Sequence, residues 1–313
     1  MTRRVLMLGA GQVGTFAARA ISDAGAFVVA ADLDPAKGFF WRYGPKEDVP
    51  LLSADVLDAQ TLSELIRSHD VDTIVLSAGL TGQSCTRDPK KAWLVNVQGT
   101  ESVAEAARRT GIRRLVFIST FAVYGRPAVN RIDETTPLNP QSEYGRTKAA
   151  AESIAAGLRE EGTSVLILRP CGTYGPLRLG MGSQSAQLIE SLLVGALNGI
   201  ELAIEASPTT SDEYVYIKDL ARAVALATLT ETNGPIHIFN VGAGKKTTAQ
   251  ELCASLREVV PGARFRVLTP EKPESAPIPP LDVSSIREAL GFCPRFDLIK
   301  GFTDYVSEAR LQP

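Results

Sequence analysis

Residues 4–14 read RVLMLGAGQVG. An apolar run of strand length is cut by glycines at Gly9, Gly11 and Gly14, and helical periodicity starts at once with Gln12 and Val13. A strand that turns straight into a helix gives each glycine a task. Gly9 permits the tight turn, Gly11 lets a pyrophosphate approach the backbone, and Gly14 lets the helix pack on the strand. The helix N-terminus then offers free amides and its positive dipole end to the phosphates. The stretch predicts a dinucleotide site built on Gly9, Gly11, Gln12, Val13 and Gly14.

The next apolar run, FVVAAD at 27–32, ends in Asp32. A carboxylate at the end of the second strand accepts hydrogen bonds from the adenosine ribose hydroxyls and repels a 2′-phosphate. Leu33 and Asp34 follow, with no adjacent arginine to greet such a phosphate. The expected cofactor is therefore NAD rather than NADP.

Outward from this unit, apolar runs recur at 50–54, 73–78, 115–120 and 164–169, with helical patterns at 12–24, 58–68, 89–110 and 144–161. The runs are continuous rather than alternating, as strands buried on both faces require. The expected fold class is α/β: a Rossmann-type doubly wound parallel sheet with a smaller C-terminal α/β substrate domain. After Pro170 the rhythm breaks. Gly, Pro and Ser punctuate 172–185, a helical stretch runs to about Asn198, and YVYI at 214–217 leads into a helix. A strand is expected at 236–242, then helices at 247–260, 283–290 and 298–310 around a Pro-rich loop at 270–280. The expected division is an NAD-binding domain over 1–170 and 213–244, and a substrate-binding domain over 171–212 and 245–313.

Composition narrows the partners. The 313 residues carry a formal net charge of −2 with no basic run, which argues against nucleic acid. Cys85, Cys171, Cys253 and Cys293 lie far apart with no CxxC, so neither a disulfide framework nor a metal site is expected. The longest apolar region, 186–204, holds Glu190, Asn198 and Glu201 and is not expected to cross a membrane. The apolar run behind Arg3 and Arg4 is too short and glycine-broken for a secretory signal. A soluble cytoplasmic protein with a small-molecule substrate is expected.

EYGRTKAAAE at 143–152 places Lys148 four residues after Tyr144. On a helix these positions share a face. Met alone, such a pair reads as an amphipathic first turn, with the lysine in water and the tyrosine at a core rim. The rest of the chain sharpens it. GAGQVG, ADVLD, NVQGT, STFAVYG, YGRTK, LRP…YGP, YVYIKDLARA and FNVGAG follow in that order. With this set the chain resembles the extended short-chain dehydrogenase/reductase family, the family of NAD-dependent nucleotide-sugar epimerases and dehydratases. The resemblance runs through the tail LDVSSIREALGFCPRFDLIKGF.

The resemblance implies roles. Asp55 and Val56 would bind adenine, although a loop aspartate is by itself a turn or cap residue. Ala78 and Gly79 would line the cofactor groove, and Asn96 would be a polar residue near the sheet on the cofactor side. Pro170 would help to position the nicotinamide. Thr120, with Ser119 beside it, would donate a hydrogen bond to the reacting oxygen. Tyr144 would be the general acid or base, and Lys148 its partner and the holder of the nicotinamide ribose. A positive charge 4 Å from the phenol contributes about 4 kcal/mol at an effective dielectric near 20. Helped by the cationic nicotinamide ring, Lys148 would draw a group titrating near 10 toward neutral pH.

Departures from the family pattern bear on the substrate. Where its sugar-nucleotide enzymes commonly place an Asn after LRP, this chain has Gly172. Where they place an Arg before the YVYIKD strand, it has Asp212 and Glu213, and prolines precede the tail helix. A diphosphate favours arginine forks. Arg178, Lys245 or Lys246 would have to compensate. The expectation is hydride transfer at a secondary alcohol of a small polar non-nucleotide substrate such as a sugar, sugar acid or hydroxy acid. The alternative is a nucleotide-sugar 4-epimerase or dehydratase using the same Thr–Tyr–Lys set. A third reading is a redox-inactive NAD-sensing regulator, whose relatives tend to lack the Tyr/Lys pair. The resemblance also implies a homodimer through helices 89–110 and 144–161. There, the alanines of KAAAESIAAGL would either allow close approach or pack on the chain's own sheet.

Overall fold

The computed structural model describes residues 2–35, 37–46, 49–176, 184–206, 211–269 and 278–310. Six strands, β1 (Arg4–Leu8), β2 (Phe27–Asp32), β3 (Leu51–Ser53), β4 (Thr73–Leu76), β5 (Arg114–Ile118) and β6 (Ser164–Pro170), join the strand Ile236–Val241 in one sheet. From one edge to the other, the order is Ile236–Val241, β6, β5, β4, β1, β2, β3, and every pairing is parallel. The order reverses at the β1–β4 junction, which opens a crevice outside the carboxyl ends of the strands. Val5, Leu6, Met7, Val29, Ala30, Ile74 and Val116 are wholly buried, as their continuous apolar runs demand.

The sheet separates two apolar layers. One holds Val5, Met7, Phe16, Val75, Val116 and Leu168 and continues into the C-terminal segments through Tyr174, Tyr216 and Phe302. The other packs Leu6, Leu8, Ile74 and Phe117 against Leu62, Val103, Ala151 and Ala155 of the helices on that face. Ala151 and Ala155 therefore serve the chain's own core. Short strands lie outside the main sheet: Gly172–Tyr174 pairs in parallel with Tyr214–Tyr216, and Leu202–Glu205 with Phe265–Leu268.

The helix expected over 89–110 is not continuous. It forms Pro89–Trp93, a π-turn at Leu94–Gln98 and then Gly99–Thr110, with a further helix at Gly82–Arg87 before it. The bulge has a use. It faces Asn96 toward the β4 loop, where its amide accepts from the Leu80 N–H at 2.7 Å and donates to the Leu80 carbonyl at 3.0 Å and to Thr147 at 2.9 Å. The helix expected over 144–161 spans Glu143–Gly157 and tightens into a 3-10 turn at Leu158–Glu161. The expected Pro-rich loop falls at 270–277 largely outside the described residues. Among the described residues no helix is long and apolar enough to cross a membrane.

Candidate functional site

The glycine loop joins β1 to the helix Gln12–Asp23. Gly9 has φ +96°, and a Cβ there would stand 2.5 Å from the Ala78 nitrogen. A Cβ on Gly14 would stand 1.8 Å from the Gly9 carbonyl oxygen. Both positions are closed to any side chain by backbone atoms. Gly11 differs: a Cβ there would meet nothing within 4 Å. It is the helix N-cap and has no side-chain cap, so the first amides of the helix face open space, as an anion site needs. Val13 is half-buried against the core. Gln12 reaches across to donate to the Gly175 and Pro176 carbonyls at 3.0 and 3.1 Å.

Asp32 ends β2 with its carboxylate accepting the Ala10 amide at 2.7 Å and the Asp34 amide at 3.1 Å. Asp55, in the loop after β3, accepts the Leu57 amide at 3.0 Å through Oδ1, a local turn that leaves Oδ2 for a further donor. Val56 lies against the start of the helix Gly99–Thr110, where a Cβ on Gly99 would come within 2.9 Å of it. Ala78 and Gly79 follow β4, and Asn96 sits under Gly79. Pro170 closes β6 beside Val241. All of these residues lie at the carboxyl edge of the sheet, and this cradle of open glycine backbone, capless helix end and carboxylate fits a dinucleotide.

Thr120 follows β5 and caps the 3-10 turn Phe121–Val123, accepting the Ala122 amide at 3.2 Å. Ser142 caps the next helix, accepting the Gly145 amide at 3.1 Å. The two elements touch closely, since a Cβ on Gly145 would fall 2.6 Å from the Ala122 carbonyl oxygen. That contact brings Tyr144 to Thr120, whose hydroxyl is near enough to oppose the rise in the phenol's pKa. Lys148, one turn on, is buried with its ammonium 4.0 Å from the Phe117 ring centroid.

Burial dominates the charge states that the protein alone gives these two groups. Burial pushes the Tyr144 phenol well above its usual range, with Cys85 adding to the rise and the Thr120 hydrogen bond opposing it. Lys148 is brought down to about 8, by burial first, against the pull of Glu152. The protein alone therefore keeps Tyr144 a neutral phenol, because burial outweighs the lowering by Thr120.

Sequence reasoning missed a buried polar network beneath this set. Glu152 accepts Arg169 Nε at 2.9 Å and Nη2 at 2.6 Å and also takes the Ser119 hydroxyl. Arg169 Nη1 donates to the Tyr124 hydroxyl at 2.8 Å, which donates on to Asn240 at 2.8 Å. The signals were an arginine closing an apolar strand and a glutamate four residues after Lys148.

Next to Phe121 a pocket opens between Cys171, Gly172, Asp212, Glu213 and Lys246. Glu213 is turned inward: its carboxylate accepts the Gly244 amide at 2.7 Å and the Leu281 amide at 2.8 Å. It is thus a structural acid rather than a charge set against the substrate. Lys246 donates to the Ile278 carbonyl at 2.6 Å. Arg178 lies outside the described residues.

A nucleotide loop, an acid at the end of the second strand and a Thr–Tyr–Lys cluster on one sheet edge define an NAD-dependent oxidoreductase site. The model of the NAD dependent epimerase/dehydratase family matches residues 5–242, and the chain belongs to that family; it is an enzyme whose cofactor is NAD. It is 29% identical to the UDP-glucose 4-epimerase of Azospirillum brasilense over 95% of this chain and 89% of that protein. UDP-glucose 4-epimerase from Thermus thermophilus, solved in complex with NAD, superposes with TM-score 0.84 at 25% identity, covering 99% of this chain and 100% of that one. The dTDP-glucose 4,6-dehydratase DesIV from Streptomyces venezuelae, solved with NAD bound, superposes with TM-score 0.83 at 26% identity, covering 99% and 97%.

Proposed function

We propose that this enzyme epimerises a nucleotide sugar, oxidising one secondary alcohol of the sugar and reducing the resulting ketone from its other face. The observation that carries this reading is Tyr144 brought to Thr120 by the close Gly145–Ala122 approach, one helical turn from buried Lys148, with a turn after Thr120, Phe121–Val123, that holds no titratable side chain. One acid–base residue is enough for oxidation and re-reduction. Loss of water from the sugar needs a further acid–base pair at the neighbouring carbons, and this turn supplies none. The kinship with epimerases gives the reading its substrate class.

NAD, when bound, supplies the hydride acceptor and then the donor. Gly9, Gly11, Gln12, Val13 and Gly14 would hold its pyrophosphate, Asp32 the adenosine ribose, Asp55 and Val56 the adenine. Ala78, Gly79, Asn96 and Pro170 would line its groove, and Lys148 would hold the second ribose. Thr120 donates to the reacting oxygen and favours its alkoxide character. Tyr144 takes the alcohol proton, drawn down by Lys148 and the bound nicotinamide charge, and returns it to the ketone oxygen. Its resting neutral form is the donor that the return step needs.

Residues 171–212 and 245–313 form the substrate side in this reading, and 1–170 with 213–244 the cofactor side. Trp93 and Leu94, exposed beside the helix Glu143–Gly157, support a homodimer, which light scattering would test. A second reading, oxidation of a small polar non-nucleotide alcohol, is favoured by one observation: Asp212 and Lys246 share the pocket, so a diphosphate would meet a carboxylate there. Incubation with NAD and either UDP-glucose or free sugars separates the two. Isomerised nucleotide sugar without net NADH supports the first, and net NADH from a free sugar the second.

A further inference from the structure

Tyr144, Lys148 and Glu152 recur at four-residue spacing on one helix, so the three side chains share a face. Lys148 and Glu152 are each only 4% exposed. Glu152 is held by side chains from the ends of two strands at once. Arg169, 3% exposed at the end of β6, forks onto both carboxylate oxygens. The Ser119 hydroxyl from the end of β5, next to Thr120, donates to the same oxygen as Arg169 Nε. Tyr124 backs Arg169 with its ring 4.8 Å from the guanidinium and its hydroxyl in hydrogen bond. A buried ion pair gains little stability over an apolar pair of the same size. Such a pair, directly behind a functional lysine, calls for a role in placing charge.

We propose that Glu152 is a positioning residue for Lys148: its clamped, buried carboxylate is the fixed counter-charge that keeps the lysine an ammonium in the site. The other groups acting on Lys148 are few. Cys85, from the helix Gly82–Arg87, is the second group favouring the charged lysine, but burial pushes its own thiol up and so keeps it neutral. Tyr144 rests as a phenol, and Phe117 offers a ring face. Glu152 is thus the full negative charge among the groups that act on this ammonium. Arg169 and Ser119 hold both of its oxygens, so its position is fixed relative to Lys148.

The inference rests on the proposed role of Lys148 but is read without turnover. In cofactor-free protein, the Lys148 13Cε resonance, assigned by its loss in Lys148→Arg, is followed against pH in native protein and in Glu152→Gln. The native midpoint is expected near 8, and in the variant it should fall by about one pH unit or more. Glu152→Gln leaves Arg169 without its partner, so the paired variant Glu152→Gln/Arg169→Met, which removes both buried charges, is measured beside it and should show a fall in the same direction, smaller because the Arg169 charge no longer opposes the ammonium. Isothermal calorimetry with NAD then reports whether the affinity loss at alkaline pH moves with that midpoint. A Lys148 midpoint unchanged in either folded variant overturns the proposal. Failure to turn over any nucleotide sugar would count against the proposed reaction only, since the resonance reports on Lys148 itself.

Discussion

The Asp32 carboxylate accepts the Ala10 amide at 2.7 Å, which makes the acid at the end of β2 and the glycine loop after β1 a single unit. One carboxylate oxygen is committed to shaping the loop, and in the proposed site the charge would repel an adenosine 2′-phosphate. Asp32→Ala should therefore do two things. It should loosen the loop and narrow the preference for NAD over NADP, which is expected to be about tenfold or more, or about 1.4 kcal/mol. Calorimetric titration of both cofactors into both proteins checks this. Equal affinity of the native protein for NAD and NADP would refute it.

Gly14→Ala puts a methyl 1.8 Å from the Gly9 carbonyl oxygen. The obstruction is backbone, so it cannot swing away. The expected cost is about 1–3 kcal/mol of stability, read as a lower urea midpoint, with NAD binding weakened as the loop shifts. Gly11→Ala meets no protein atom within 4 Å. It should leave the urea midpoint in place yet weaken NAD binding, because its methyl would occupy the pyrophosphate's approach. Normal NAD affinity in Gly11→Ala would contradict the placement of the phosphates.

Lys148 titrates near 8 in the fold and near 10.4 in an unfolded chain. Between these values the unfolded chain binds more protons, so this group makes the fold more stable as pH rises from about 8 toward 10 and costs it fully below 8. Lys148→Met should gain on the order of 2 kcal/mol at pH 7 and lose that rise, while NAD binding weakens. Above about pH 10, where free tyrosine ionises, buried Tyr124, pushed up to about 12 by burial, reverses the trend. Urea unfolding at pH 7 and 9.5 measures the difference, and a variant no more stable than native at pH 7 would show that the lysine is not a buried ammonium.

Much of this was legible before any coordinates. Continuous apolar runs gave away the strands of a sheet covered on both faces, and GAGQVG with Asp32 located the crevice. The π-turn at Leu94–Gln98 was hidden because one extra residue per turn barely disturbs an amphipathic pattern. Glu152, Arg169 and Glu213 read as ordinary charged residues, since the partners that bury them, Ser119, Tyr124 and the Leu281 amide, are distant in sequence. Glu213 in particular reads from the sequence as a charge facing a diphosphate, and the structure turns it to the backbone. That burial raises the Tyr144 phenol and lowers Lys148 was not legible for a related reason: burial is a property of the packed fold, not of their spacing.

Tyr144→Phe removes the proposed acid–base hydroxyl and leaves Lys148, the glycine loop and Asp32 in place. Turnover should fall about a hundredfold or more, with NAD affinity within a few-fold of native. Thr120→Val should lower turnover with cofactor binding spared as well. Full turnover in Tyr144→Phe would remove the catalytic assignment.

The proposed reaction is oxidation and re-reduction of a nucleotide sugar at one carbon. Purified protein with catalytic NAD and UDP-glucose should yield an equilibrium mixture of UDP-glucose and its 4-epimer by proton NMR, with no net NADH absorbance at 340 nm (roughly the usual reduced-nicotinamide maximum). Unchanged UDP-glucose, with net NADH formed instead from a free sugar or hydroxy acid, would contradict it.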